Sequence, residues 1–142
     1  MAHALLQVLD EIERGTAKLA ESDVWRSPGN VASIGFHLRH LAGSTDRLLT
    51  YARGVELSDP QREELATESS DQQPPLADLL ARLRDVFDRA VEQLRATPQA
   101  EIYEAREVGR ARLPSSAHGL LFHAAEHAQR HCGQIVTTVK LL

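Results

Sequence analysis

With a single cysteine in 142 residues, Cys132, the chain has no internal disulfide to hold it, and this usage suits a reducing compartment. No apolar run approaches the ~18–20 residues that a membrane-spanning helix needs, which excludes a membrane-embedded class. The stretch from Met1 to Asp10 carries no basic region ahead of an apolar core and runs directly into Asp10-Glu11. It therefore does not read as a secretory signal, and the expected location is the cytoplasm. Aromatic residues are scarce, at 4%, and the 16 Lys and Arg are scattered under a formal charge of −4. A phosphate-tracking surface with stacking platforms is not encoded, so nucleic acid is excluded as a partner. Internal repeats and low-complexity tracts are missing as well.

What is present is ordinary globular composition, 42% hydrophobic and 25% charged, in a length that suits one compact domain over residues 1–142. Four segments carry apolar residues at helical spacing. Leu5, Val8, Leu9, Ile12, Thr16 and Leu19 predict a helix from Ala2 to Glu21, broken by Ser27-Pro28-Gly29-Asn30. Ile34, Leu38, Leu41, Thr45, Leu48 and Ala52 predict a second, with Ser33 as N-cap and Gly54 as the stop after Arg53. Pro74-Pro75 introduces a third through Leu76, Leu79, Leu83, Val86, Phe87, Ala90 and Leu94, which Thr97-Pro98 ends. Ser115 or Ser116 caps a fourth, running to Lys140. The polar segment from Val55 to Pro75 reads as a long loop, and so does Gln99 to Pro114, with some extended backbone. The expectation is an all-α protein, a four-helix bundle with long crossover loops.

Seven histidines are many for this length, and five fall in two of the helices, as Phe36-His37-Leu38-Arg39-His40 and His123-Ala-Ala-Glu126-His127-Ala-Gln-Arg-His131. Residues four apart lie about 40° apart around a helix, so His127 and His131 share a face and can aim at one ion. Both fall within the apolar stripe of Ala117, Leu120, Ala124, Ala128 and Ile135, while His123 lies at its edge. Imidazoles buried there cost free energy unless each finds a ligand or partner. A metal would satisfy both, and so would hydrogen bonds in a plain helical core. In the second helix, periodicity places His37 closer to the apolar line than His40, while His3 and His118 sit near helix starts and are expected at the surface.

The segments Ser33-Ile-Gly-Phe-His-Leu-Arg-His40-Leu-Ala-Gly-Ser-Thr-Asp-Arg47 and Gly119-Leu-Leu-Phe-His-Ala-Ala-Glu-His127-Ala-Gln-Arg-His131-Cys-Gly-Gln134 resemble the two signature helices of the DinB/YfiT-like superfamily. The resemblance covers almost the whole chain. It implies a four-helix bundle, often a homodimer, whose metal is held by one histidine of the second helix and a His-x3-His pair of the last. By position these ligands are His40, His127 and His131, with His40 rather than His37 taken from the second helix. His123 would then be a residue of the pocket around them. Where many relatives carry arginine after the last ligand, this chain has Cys132.

An all-imidazole set favours Zn²⁺ or Ni²⁺, with Fe²⁺ and Cu²⁺ compatible. Three protein ligands leave a coordination position open, the mark of a catalytic site. The resemblance implies a metal-dependent enzyme acting on a small molecule, such as an S-transferase using a low-molecular-weight thiol. The alternatives are a non-catalytic, stress-related metal module and a helical interaction bundle whose histidines are core. His123-Ala-Ala-Glu126-His127 also matches the inverted-zincin pattern of a metallopeptidase, but the chain lacks the larger scaffold that such a cleft needs. No Glu precedes a histidine by three positions, so a di-iron carboxylate site is excluded. Cys132 beside His131 points about 100° away from it on a helix, so no Cys-His dyad is expected.

Overall fold

A computed structural model describes all residues, 1–142, as helices α1 (Ala2–Thr16), α2 (Ile34–Ala52), α3 (Asp59–Thr67), α4 (Leu76–Ala96) and α5 (Ala117–Leu141), with strands β1 (Ala105–Val108) and β2 (Leu113–Ser116). The four long helices form the bundle, and none is long and apolar enough to cross a membrane. Helices α1 and α2 each pack against both α4 and α5. Of the four, α1 and α2 therefore stand on one diagonal and α4 and α5 on the other.

The core is built from the stripes that the periodicity marks. Leu5, Val8 and Ile12 of α1, Leu38 and Leu41 of α2, Leu83, Val86 and Phe87 of α4, and Leu120 and Ile135 of α5 are all buried in it. Ser33 caps α2 by accepting from Phe36 N–H at 3.2 Å, and Ser116 caps α5 by accepting from Gly119 N–H at 3.0 Å. Gly54 ends α2 at φ +71°, a left-handed conformation that glycine adopts without steric cost.

Two segments differ from the sequence reading, and a third realises the extended backbone it expected. Helix α1 ends at Thr16, not Glu21, and the chain beyond it turns to meet the start of α4. There Glu21 Oε1 accepts from Leu76 N–H at 3.0 Å, and the Trp25 indole donates to the Pro74 carbonyl at 3.0 Å. This is the capping that Pro75, the N-cap residue, has no side chain to provide. The Val55–Pro75 segment holds helix α3 within it. A capping box between Ser58 and Gln61, with proline in the first turn, starts a helix whose composition carries no apolar stripe. The Gln99–Pro114 segment contains an antiparallel hairpin, Ala105 opposite Ser116 and Val108 opposite Leu113. Arg106 docks it by donating from Nε to the Ala52 carbonyl at the end of α2 at 2.9 Å.

Trp25 lies flat over the first turn of α2. A Cβ at Gly35 would sit 2.6 Å from the indole, so only glycine allows the approach. Gly35→Ala should destabilise the fold by about 1–3 kcal/mol, the usual cost of overpacking. A lower urea midpoint, followed through the emission of Trp25, the single tryptophan, measures it; an unchanged midpoint would show that the indole is free to move aside.

Candidate metal centre

Helices α2 and α5 meet along a seam into which each sends two histidines. Four residues of separation put His127 and His131 on one face of α5, with ring centroids 4.4 Å apart. His37 and His40, three apart on α2, face them: His40 lies 4.8 Å from the ring of His131 and 5.2 Å from that of His127. His40, His127 and His131 each offer a ligand nitrogen, and these nitrogens all lie within 4.8 Å of one another. His40 Nε2 and His127 Nε2 are 3.1 Å apart. Two nitrogens bound tetrahedrally to one ion at about 2.0–2.1 Å would stand ~3.3 Å apart, so this spacing already matches chelation.

The hydrogen bonds fix which nitrogens face the cluster. His40 Nδ1 is 2.9 Å from Glu68 Oε1. Burial raises the pKa of Glu68, but the His40 hydrogen bond and the charge of Arg47 outweigh it and hold the carboxyl below its ordinary range. An ionised carboxylate only accepts, so Nδ1 carries a proton and Nε2 is the nitrogen that faces His127. Phe36 stacks over His40 with the planes 6° apart. On the other side, His37 Nδ1 and His131 Nδ1 meet at 3.0 Å, one donating and the other accepting. His127 Nδ1 is buried with no partner.

Burial and mutual repulsion disfavour charge on three of the rings, His37, His127 and His131. Burial, followed by the charge of His40 among other neighbours, lowers the pKa of His127 from 6.5 to about 4. Burial, then His127, His40 and His37, lowers that of His131 to about 3. His37 is lowered too, by burial and then by His40. Neutral rings with free lone pairs are what a divalent transition metal requires, so the residues fit such an ion.

The remaining candidates fall outside the cluster. His37 is more buried than His40, as the apolar line predicts, yet it contacts the cluster only through His131. His123 is exposed and bonds Glu126, to both of whose oxygens Arg130 Nη2 also donates at 2.9 Å. That carboxylate is engaged on the outer face of α5 and is not free to act as the base of an inverted-zincin site. His3 is exposed as expected, but His118 is half-buried, stacked against Phe122 and close to Tyr103. Cys132 faces α1, where burial and then a 3.5 Å contact with Glu11 push its thiol up to about 11. Sequence reasoning missed Glu68. Nothing in its spacing marks it, since it reaches His40 across 28 residues from the C-cap of α3.

The model of the DinB superfamily matches residues 3–135. Among solved structures, the chain is similar to YfiT from Bacillus subtilis, described as "a probable metal-dependent hydrolase with an unusual four-helix bundle topology", at 14% identity and a TM-score of 0.71, covering 98% of this chain and 83% of that one. A Streptococcus pneumoniae protein aligns at 13% identity and a TM-score of 0.70, covering 98% of this chain and 86% of that one. At these identities the likeness concerns the fold. No curated protein shows a significant sequence match.

The depressed imidazoles set a direction for acid stability. Unfolded histidine titrates at 6.5 while folded His127 and His131 wait until about 4 and about 3. Between these values the unfolded chain binds more protons, so stability of the metal-free protein should fall as pH drops from 6.5 toward 4. Urea midpoints at pH 7, 6, 5 and 4.5 test this, with His131→Gln expected to flatten the slope; an equal slope in both proteins would place the acid sensitivity elsewhere.

Proposed function

The chain belongs to the DinB superfamily, and from that premise and the converging imidazoles we propose that it holds one divalent transition-metal ion on His40, His127 and His131 and acts as a metal-dependent enzyme on a small molecule. The observation that carries this reading is the set of three ligand nitrogens within 4.8 Å. Two of the three rings have pKa values far below neutrality. A hydrogen-bonded core would also bury histidines, but it would not leave His127 Nδ1 buried without a partner.

When bound, the ion supplies Lewis acidity that favours the anionic form of a thiol or of water at the position three protein ligands leave open. The protein's part is orientation. Glu68 keeps the His40 proton on Nδ1, so that Nε2 faces the cluster. With His131 donating from Nδ1 to His37, its Nε2 is likewise left free. Phe36 covers one face of His40 and limits water on that side. No side chain of the cluster is needed as a nucleophile, and Cys132, buried and protonated on the far face of α5, is not available as one.

The substrate we favour is a low-molecular-weight thiol that attacks a small electrophile. The likeness to YfiT favours hydrolysis as the second reading. Zn²⁺ and Ni²⁺ suit an imidazole set best, and Fe²⁺ is compatible. Metal analysis of the purified protein should find about one ion per chain, lost in His40→Ala, His127→Ala and His131→Ala and kept in His123→Ala. If Glu126→Gln abolishes activity while His131→Ala still binds metal, the inverted-zincin motif is the true site. Cobalt substitution separates the two chemistries: a thiol that reaches the ion adds a sulfur-to-cobalt charge-transfer band, and thiols that leave the spectrum unchanged point to hydrolysis.

A further inference from the structure

Helix α3 has no buried residue. What holds it and the turn after it is polar throughout. Gln61 Nε2 donates to Asp46 Oδ2 at 2.6 Å and to Thr50 Oγ1 at 2.8 Å, both on α2. Arg82 of α4 donates to Glu64 at 3.2 Å, and Arg39 of α2 donates to the Thr67 carbonyl at 2.6 Å. An element without an apolar face in the core opens at lower free energy than the bundle helices, whose stripes are buried. Yet the residue at its C-terminal end, Glu68, is the one that orients His40.

From this juxtaposition we infer that Glu68 is a positioning residue and α3 a detachable strap. Docking of the strap sets the His40 ring for the cluster, and loading of the cluster in turn holds the strap down. The inference rests on the metal site proposed above. With Glu68 in place, the His40 proton stays on Nδ1; once Glu68 withdraws, either nitrogen can carry it and the ring is free to turn. Arg47 biases the strap toward closure. Its buried guanidinium donates from Nη2 to both Glu68 oxygens at 3.3–3.4 Å, while Nη1 has no partner. Departure of Glu68 would leave that buried charge uncompensated. Coupling between two equilibria is reciprocal, so whatever factor strap docking adds to metal affinity, metal adds to strap docking.

The test uses the full chain as wild type, Glu68→Gln, Glu68→Asp and Gln61→Ala, with Zn²⁺ as the probe. Affinity is measured by competition with a chromophoric chelator, and hydrogen exchange of the amides in 59–68 is followed with and without Zn²⁺. In the wild type, Zn²⁺ should slow exchange across α3. Glu68→Gln should lower affinity on the order of 10–100-fold and lose that protection even at saturating Zn²⁺, and Glu68→Asp should restore part of both. Gln61→Ala, which touches no histidine, should speed exchange in α3 and weaken Zn²⁺ binding by the same route. Equal affinity and equal protection in wild type and Glu68→Gln would overturn the strap and leave the metal site standing. Absence of Zn²⁺ binding by the wild type would overturn both. If Glu68→Gln does not fold, Gln61→Ala decides: faster exchange in α3 with unchanged Zn²⁺ affinity overturns the coupling.

Discussion

Helix α2 has no free side. It packs against α5, α4, α3 and β1, and its buried residues include Asp46 and Arg47 as well as leucines. Buried polar groups cost free energy unless they are paired, so every neighbour of α2 must bring partners to it. Much of the structure answers that constraint. Helix α4 brings Arg89 to Asp46 at 2.7 Å. Helix α3, with no apolar contribution to make, brings Gln61 to Asp46 and Glu68 to Arg47. The hairpin brings Arg106 to the carbonyl of Ala52, and α5 brings His127 and His131 to His40 and His37.

The two faces of α5 show how burial tunes adjacent residues in opposite chemical senses. Desolvation disfavours the charged form of any group, so it lowers a base and raises an acid. Toward α2 it holds the imidazoles of His127 and His131 in their neutral form. Toward α1 it holds the proton on the Cys132 thiol, and the carboxylate of Glu11 adds to the effect. One helix thus presents neutral imidazoles on one side and an inert sulfur on the other, from residues 131 and 132.

The bundle was legible because its stripes are apolar and periodic, and the caps at Ser33, Gly54 and Ser116 have local signatures that tertiary structure did not override. Helix α3 escaped because it is held by side-chain hydrogen bonds rather than by an apolar face, and hydrophobic periodicity is blind to such a helix. Its local signs, Ser58 three residues before Gln61 and Pro60 in the first turn, are brief and sit in a run of polar residues. Beyond the end of helix α1, Glu21 and Trp25 bond Leu76 and Pro74 at sequence separations of 55 and 49, contacts that no local pattern carries. At the histidine cluster the two kinds of reasoning separated. Periodicity ranked His37 and His40 correctly by burial, but burial is not membership of a cluster, and resemblance picked the residue that the fold places beside both histidines of α5. Glu68 was invisible to either, since a carboxylate 28 residues from its histidine is joined to it only by folding.

The diagonal arrangement of the bundle also dictates when the seam can exist. The His40–His127 contact spans 87 residues and the His37–His131 contact spans 94, so both wait on closure of most of the chain. Closing so long a loop costs chain entropy before any contact compensates for it, and topologies rich in such pairings fold more slowly than bundles of neighbouring hairpins. During synthesis the first half of the protein emerges with α2 lacking the helix that satisfies its histidines. A partly made chain that has yet to form α5 offers an ion only the imidazoles of His37 and His40, three residues apart on one helix. Assembly of the full set of histidines thus requires docking of the last helix.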